Sequence, residues 1–136
     1  MNREILFRGK RKDNNEWVYG WVHRGLLGNV WYLIEEYDYK SIEVIPETIG
    51  QYTGLTDKNG KKIFEGDIID IHQTVNGCNQ FVIEYDNYKF SARYYNQKTK
   101  EIRSWYGYDL DKLFEINELE KELEVIGNIY ESKINE

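Results

Sequence analysis

Short stretches in which β-branched or aromatic residues alternate with polar residues dominate this chain, and turns containing glycine or asparagine separate them. A period of two is typical of strands that bury one face, whereas the helical period of 3.6 is scarce here. Many such strands joined by short connections favour a small antiparallel barrel or roll over a parallel βαβ fold, so the predicted fold class is mainly β. The predicted strands are 16–24, 29–37, 41–45, 48–55, 61–75 with an interruption at Gly66, 79–86, 88–97, 101–109 and 124–130.

Two regions interrupt the strand pattern. Residues 111–123 carry apolar side chains at spacings of three and four with carboxylates between them, which predicts one short C-terminal helix. The apolar positions are Leu113, Ile116, Leu119 and Leu123. Pro46 is the only proline, and a proline pushes the residue before it into extended geometry. Ile45/Pro46 is therefore the predicted boundary between an N-terminal β segment, residues 1–45, and a C-terminal part, residues 46–136.

Length and cysteine content indicate one domain, or a domain with a small appendage, in a reducing compartment. A chain of 136 residues can bury a core of its own. Its single cysteine, Cys78, cannot form an internal disulfide. No stretch approaches the roughly 20 apolar residues of a membrane span, and the apolar run near the N-terminus is short for a signal peptide. We therefore expect a soluble cytoplasmic protein with no membrane partner.

Charge is distributed unevenly along the chain. Residues 109–136 contain nine acidic and three basic side chains, which accounts for the whole net charge of −6. A protein that binds duplex DNA usually shows the opposite, a basic face that neutralises phosphates. The only dense basic run is Arg8, Lys10, Arg11 and Lys12. We interpret this run as a solvated turn before the first predicted strand.

The stretch TGLTDKNGKKIFEGDIIDI, residues 53–71, combines glycines, aspartates and lysines as phosphate and calcium loops do. A P-loop needs a different glycine spacing followed by Lys and Ser/Thr, and no G-x-G fingerprint occurs. Aligned with an EF-hand loop, the stretch lacks both the first ligand and the final glutamate. Asn59-Gly60 instead predicts a type I′ hairpin turn, and Gly66 predicts a bulge or sharp bend.

The sequence contains few other candidate catalytic or metal-binding residues. Cys78 would need a histidine nearby to act as a nucleophile, but neither His23 nor His72 has a recognisable spacing from it. One cysteine and two histidines also form a poor zinc set. Three carboxylates could form an acid/base pair, but a solvated strand face is favoured for them. They are Glu65, Asp67 and Asp70. We therefore predict no catalytic residue, metal or cofactor, and a protein that is not an enzyme.

Aromatic and basic residues alternate closely in residues 85–106. Exposed rings between cations hold single-stranded nucleic acid by stacking and charge. The candidate binding surface consists of Tyr88, Phe90, Arg93, Tyr95, Arg103 and Trp105. The same rings would also fill a core that is short of aliphatic residues, and core packing is the favoured interpretation.

Three motifs resemble the YopX family of phage and prophage proteins. They are WVYG at 17–20, PETIGQYTGLTDKNGKKIFEGDII at 46–69 and EVIGNIYE at 124–131. The resemblance implies an N-terminal β subdomain, a C-terminal SH3-like β-roll over residues 46–136, and origin in a phage or a prophage of a bacterial host. It also implies self-association, with a trimer suspected. It supplies no catalytic residue, cofactor or partner.

These observations lead to three functional hypotheses. The leading hypothesis is a non-enzymatic phage accessory protein that binds a macromolecule, because tyrosine, tryptophan and paired charges suit interfaces. The second is binding of single-stranded nucleic acid through the candidate surface of aromatic and basic residues. The third is an acidic mimic of DNA that uses the carboxylates of residues 109–136. The sequence leaves the identity of the partner, protein or nucleic acid, open.

Overall fold

A computed structural model describes residues 4–26, 30–35 and 38–131, with the side chains of 104–106 and 117 outside that description. Within these residues the chain forms eleven strands and one short α-helix, which confirms the mainly β prediction. All the strand pairings resolved are antiparallel. The chain divides into two compact units, Met1–Gly54 and Leu55–Glu136. Pro46 begins a 3-10 turn, Pro46–Thr48, inside the first unit.

The first six strands of the chain form one sheet, and all but the last of them begin within Met1–Gly54. The strands are β1 Phe7–Lys10, β2 Trp17–Arg24, β3 Trp31–Glu35, β4 Ser41–Val44, β5 Gly50–Thr56 and β6 Lys62–Phe64. Their order in the sheet is β4-β3-β2-β1-β5-β6. Val18, Leu33 and Val44 form a small buried cluster on one face. The alternation of β2 places Val18 on this face and leaves its odd-numbered residues on the other.

The basic run near the N-terminus is a solvated turn only in part: Lys12 is exposed in a turn, whereas Arg8 and Lys10 are buried. Arg8 and Lys10 lie in β1, between β2 and β5, and each is only 4% exposed. Both cations lie over the indole of Trp17, with Arg8 Cζ at 4.4 Å and Lys10 Nζ at 5.4 Å from the ring centroid. The prediction is wrong for these two residues because cation–π contacts with Trp17 help them to occupy an interior strand.

A five-stranded sheet forms most of the second unit. The strands are β7 Asp67–Val75, β8 Cys78–Asp86, β9 Lys89–Asn96, β10 Glu101–Asp109 and β11 Glu124–Asn128. Their order is β10-β9-β8-β7-β11. The helical segment packs on one face of this sheet and completes the main core, which contains Ile69, Phe81, Ile83, Leu113 and Leu119. The described residues show two open sheets and no closed barrel.

The predicted helix is present but divided. An α-helix, α1, covers Leu110–Glu115, and a 3-10 helix continues over Ile116–Lys121. The backbone leaves helical geometry at Ile116, with φ −74° and ψ 122°, and reaches φ +57° at Glu118. The apolar periodicity therefore marks the buried side of the segment correctly, although the segment is not one continuous α-helix.

The stretch of residues 53–71 forms two turns. Gly60 alone of the Asn59-Gly60 pair has a positive φ, +78°, so the turn differs from the type I′ turn that the sequence predicts. Asp57 accounts for the difference: its Oδ1 accepts hydrogen bonds from the backbone N–H groups of Asn59 and Lys61, both at 2.9 Å. Gly66 has φ +93° and lies at the bend between β6 and β7.

Candidate functional site

The structure does not bring the six predicted binding residues into one exposed surface. Phe90 is 9% exposed and packs in the main core, and Tyr95 is 5% exposed in a second cluster on the opposite face of β9. Tyr88 is 95% exposed in the β8–β9 turn. Arg103 is exposed and lies 5.5 Å from the ring of Tyr94. The side chain of Trp105 lies outside the described part of the chain.

Arg93, the sixth residue of the candidate binding surface, forms ion pairs with neighbouring carboxylates. Its Nη2 donates to Asp86 Oδ2 at 2.7 Å, and Ser91 Oγ donates to Asp86 Oδ1 at 3.1 Å. The hydrogen bond from Arg93 is the main reason that the pKa of Asp86 is lowered. Glu84 Oε2 lies 4.0 Å from Arg93 Nε, and burial raises the pKa of Glu84. The charge of Arg93 is therefore largely balanced within the protein.

A different group of rings is exposed, on the first unit. The odd-numbered residues of β2 face away from the small buried cluster, and Tyr19 and Trp21 are 45% and 44% exposed. Trp21 lies opposite Ile34 of β3 in the antiparallel pairing, and His23 lies opposite Tyr32. We call Tyr19, Trp21, His23, Tyr32 and Ile34 the aromatic face.

Local contacts hold the aromatic face in place. The rings of His23 and Tyr32 stack with centroids 5.1 Å apart and an angle of 16° between their planes. His23 Nε2 is 3.0 Å from Ser41 Oγ on the next strand. Gly20, between the two exposed rings, has no room for a side chain because a Cβ there would overlap the carbonyl oxygen of Ile34. The aromatic face is thus built on paired strands rather than on a loop.

The period-two alternation predicts β2, but the period alone does not predict the aromatic face. The aromatic face could have been predicted by comparing the odd-numbered with the even-numbered residues of WVYGWVHR, the two alternation phases of the strand. Apart from the terminal Arg24, one phase is small or aliphatic, while the other contains only aromatic rings with polar atoms, which favour half-exposed positions. The same comparison applied to β9 is uninformative because aromatic rings occur in both of its phases.

The candidate catalytic groups have structural contacts. Cys78 is 8% exposed, with its Sγ 3.7 Å from the carbonyl oxygen of Asn76. Asp67 is 1% exposed, and its Oδ2 accepts a hydrogen bond from the backbone N–H of Phe64 at 2.8 Å. His72 Nε2 lies 2.9 Å from Glu124 Oε1. Among the described residues no group of three or more His, Cys, Asp or Glu side chains is arranged to hold a metal ion.

Comparisons with known proteins identify the family. A comparison with curated proteins yields no match. No helix in the described ranges is both long and apolar enough to cross a membrane. Residues 6–133, nearly the whole chain, match the family described as YopX protein. This match, over the region that contains the three sequence motifs, shows that the chain belongs to the YopX family.

Proposed function

We propose that this protein is a non-enzymatic phage or prophage accessory protein, and that its aromatic face binds a protein partner. The observation that carries the proposal is the exposure of Tyr19 and Trp21, nearly half of each residue, on a paired sheet. Clusters of exposed aromatic rings mark interaction surfaces, and Tyr and Trp are enriched in the cores of protein interfaces. Their polar atoms also allow hydrogen bonds to a partner.

A protein partner fits the charges around the aromatic face better than a nucleic acid. Single-stranded nucleic acids are held by ring stacking together with cations that contact phosphates. Arg8 and Lys10, the cations stacked on the neighbouring Trp17, are each 4% exposed, so they are poorly placed to contact phosphates. The net charge of −6 also opposes binding to a polyanion.

The two other hypotheses have weaker support. The nucleic-acid hypothesis named Phe90 and Tyr95, whose burial removes them from a stacking surface in this conformation. The DNA-mimic hypothesis needs unneutralised, regularly spaced carboxylates. Asp109 instead pairs with Lys89 at 2.8 Å, and Glu118 with Lys121 at 3.6 Å.

Four finer expectations are part of this proposal, three from the family resemblance and one, the cytoplasmic location, from the cysteine content and the lengths of the apolar runs. They are the phage or prophage origin, the SH3-like roll over residues 46–136, the cytoplasmic location and self-association as a trimer. Light scattering over a range of protein concentrations tests the last. If a second copy of this chain covers the aromatic face, the measured mass will fall in a variant with both Tyr19→Ser and Trp21→Ser.

Affinity capture from a lysate of the protein's own host tests the binding proposal. The immobilised wild type, the Tyr19→Ser/Trp21→Ser variant and a Tyr88→Ser control are compared, with and without nuclease. Tyr88 is 95% exposed but lies in the second unit, so it controls for loss of an exposed ring. We expect a protein that survives nuclease and binds the double variant at least about 30-fold more weakly, as for truncation of an aromatic hot spot.

The same experiment has outcomes that contradict the proposal. Equal capture by the double variant and the wild type would show that the aromatic face is not the binding surface. Capture of nucleic acid that is lost at moderate salt would favour the second hypothesis instead. Circular dichroism of each variant verifies that the fold is unchanged.

A further inference from the structure

The aromatic face lies on strands whose backbone groups are already paired. β2 lies between β1 and β3 in the sheet, and β3 lies between β2 and β4. An extended partner adds a strand to a sheet only at an unpaired edge, so that mode of recognition is closed here. A partner therefore contacts β2 and β3 through their side chains, and the polar atoms of those side chains select the kind of segment that binds.

Two side chains of the aromatic face have hydrogen-bond donors without a partner. Within the described residues neither Trp21 Nε1 nor the hydroxyl of Tyr32 makes a hydrogen bond. Trp21 is 44% exposed, and since burying an unpaired N–H is costly, the indole N–H belongs to the exposed part of the ring. The Tyr32 hydroxyl is also open to solvent. The enclosed side-chain polar atoms that lack a partner belong to other residues, Arg8, Gln80 and Arg93.

A proline-rich segment carries the complementary set of groups. An indole N–H can only donate, whereas a proline has a carbonyl acceptor and no N–H. In the polyproline II conformation no carbonyl is used within the segment, so all of them remain available to donors. An α-helix, in contrast, satisfies most of its carbonyl oxygens internally. The free donors of the aromatic face therefore suit an extended proline-rich segment better than a helix.

The spacing of the exposed rings also fits flat proline rings. Tyr19 and Trp21 follow one another on one side of β2, and Gly20 between them belongs to the other side. Such side chains are about 7 Å apart along a strand and stand roughly perpendicular to the sheet. Carbon atoms pack about 3.5–4.0 Å apart, so a ring held between two others needs an interval of about 7–8 Å. The interval between Tyr19 and Trp21 thus accommodates one proline ring.

The charges beside the aromatic face are complementary to an uncharged segment. Arg8 lies opposite Tyr19 on β1 and is only 4% exposed. Glu43 lies opposite Tyr32 on β4 and forms an ion pair with Lys12 at 3.2 Å. A charged partner segment would therefore find no free counter-charge at these two positions, and a neutral segment needs none.

We propose that the aromatic face binds an uncharged, proline-rich segment of a different protein in the polyproline II conformation. Carbonyl oxygens of the segment accept hydrogen bonds from Trp21 Nε1 and the Tyr32 hydroxyl. The inference rests on the proposed function and names the kind of segment that the face recognises. A second copy of this chain does not supply the segment, because Pro46 is its only proline. A preformed polyproline II helix loses little conformational entropy on binding, which suits a small surface.

Titration by NMR spectroscopy tests the proposal with two matched peptides. The probe is a blocked oligoproline of about ten residues, which adopts polyproline II. The control is a blocked Gly-Ser repeat of equal length, which is uncharged but flexible and carries N–H groups. We expect the oligoproline, and not the control, to shift the amide signals of Tyr19 and Tyr32 and the indole N–H signal of Trp21.

Phenylalanine variants test the two donors. Tyr32→Phe and Trp21→Phe each remove a donor and keep an aromatic ring, so each should weaken binding of the oligoproline by about two- to tenfold. They lie on different strands, so misfolding of one leaves the other as the test. Tyr88→Phe removes an exposed hydroxyl in the second unit and should leave the affinity unchanged.

The contrary outcomes separate this inference from the proposed function. Equal shifts with both peptides, an unshifted indole signal of Trp21, or unchanged affinity of both phenylalanine variants would overturn the inference. If the oligoproline does not bind but capture from the host lysate still depends on Tyr19 and Trp21, only this inference fails. If capture does not depend on them either, the proposed function fails as well. Loss of self-association in the Tyr19→Ser/Trp21→Ser variant would assign the face to a second copy and would also overturn the inference.

Discussion

Asp57 shows how one residue of the family motif acts in the fold. Besides holding its own turn, it accepts a hydrogen bond at Oδ2 from the backbone N–H of Val125, at 3.0 Å. Burial opposes ionisation of this carboxyl, but the backbone donors Val125, Lys61 and Asn59 outweigh it, and the pKa of Asp57 is lowered. The motif that resembles a ligand loop therefore joins the β5–β6 turn to the start of β11.

An Asp57→Asn variant should be less stable by about 1–3 kcal/mol at pH 7. Asparagine can keep one set of acceptor contacts, but its NH₂ group would then face the N–H of Val125. Because the folded-state pKa is lowered, the carboxylate stabilises the fold above the unfolded value of about 3.9. This contribution is lost as the pH falls through the folded-state pKa. Urea unfolding at several pH values measures it, and the difference between wild type and variant should shrink in acid.

An Asp13→Asn variant is the matched control for this carboxylate. Asp13 is exposed and pairs with Arg11 at 2.9 Å, and the hydrogen bond from Arg11 lowers its pKa. Exposed ion pairs contribute little to stability, so this variant should change the free energy of unfolding less than Asp57→Asn. A larger loss at Asp13 than at Asp57 would contradict the role given to the buried turn.

At the scale of elements, the bend between β6 and β7 depends on Gly66. Its N–H donates to the carbonyl oxygen of Ile83 at 2.8 Å, and its carbonyl oxygen accepts from the N–H of Ile129 at 3.0 Å. A Cβ at this position would lie 2.7 Å from Cε2 of Tyr130. The bend therefore combines a positive φ with a close approach of the C-terminal segment.

Gly66→Ala should destabilise the protein more than Gly60→Ala. Gly60 also has a positive φ, but a Cβ there would meet no atom within 4 Å. The Gly60 variant therefore measures the backbone strain alone, about 1–2 kcal/mol, whereas the Gly66 variant adds displacement of the Tyr130 ring. Chemical denaturation of both variants gives the comparison. Equal losses would show that Tyr130 moves aside freely.

Local pattern predicted the strands well but did not predict which of their faces is covered. β2, β8 and β10 lie close to their predicted positions because alternation and turn residues are local signals. β1 was missed because Arg8 and Lys10 suggest solvent exposure, and their contact with Trp17 depends on strand pairing. The candidate binding surface does not form, and the burial of Phe90 and Tyr95 agrees with the favoured interpretation that these rings pack in the core.

The rings of β9 show why the candidate binding surface does not form. Phe90 and Tyr95 point to opposite faces of the strand, and both faces are covered by other parts of the fold. In β2 one face packs on the small cluster, and the other leaves Tyr19 and Trp21 exposed. Aromatic rings occur in one alternation phase of β2 but in both phases of β9, so the covering of the β9 rings depends on tertiary packing, which a local pattern does not contain.

At the scale of the whole molecule, some parts of the chain stabilise the fold and other parts are exposed to a partner. The family motif around Asp57 and Gly66 stabilises turns. Of the candidate nucleic-acid-binding residues, Phe90 and Tyr95 are buried and Arg93 is hydrogen-bonded to Asp86. The aromatic face, on the first unit, combines exposed rings with a rigid strand backbone. The central claim is that this face contacts a protein.

Hydroxyl-radical footprinting of the complex with the captured protein tests that claim most directly. The rates of oxidation of Tyr19, Trp21 and Tyr88 are compared in the free and bound protein, since all three rings are exposed when free. The account predicts that oxidation of Tyr19 and Trp21 slows on binding while that of Tyr88 is unchanged. Protection of Tyr88 with no change at Tyr19 and Trp21 would contradict it.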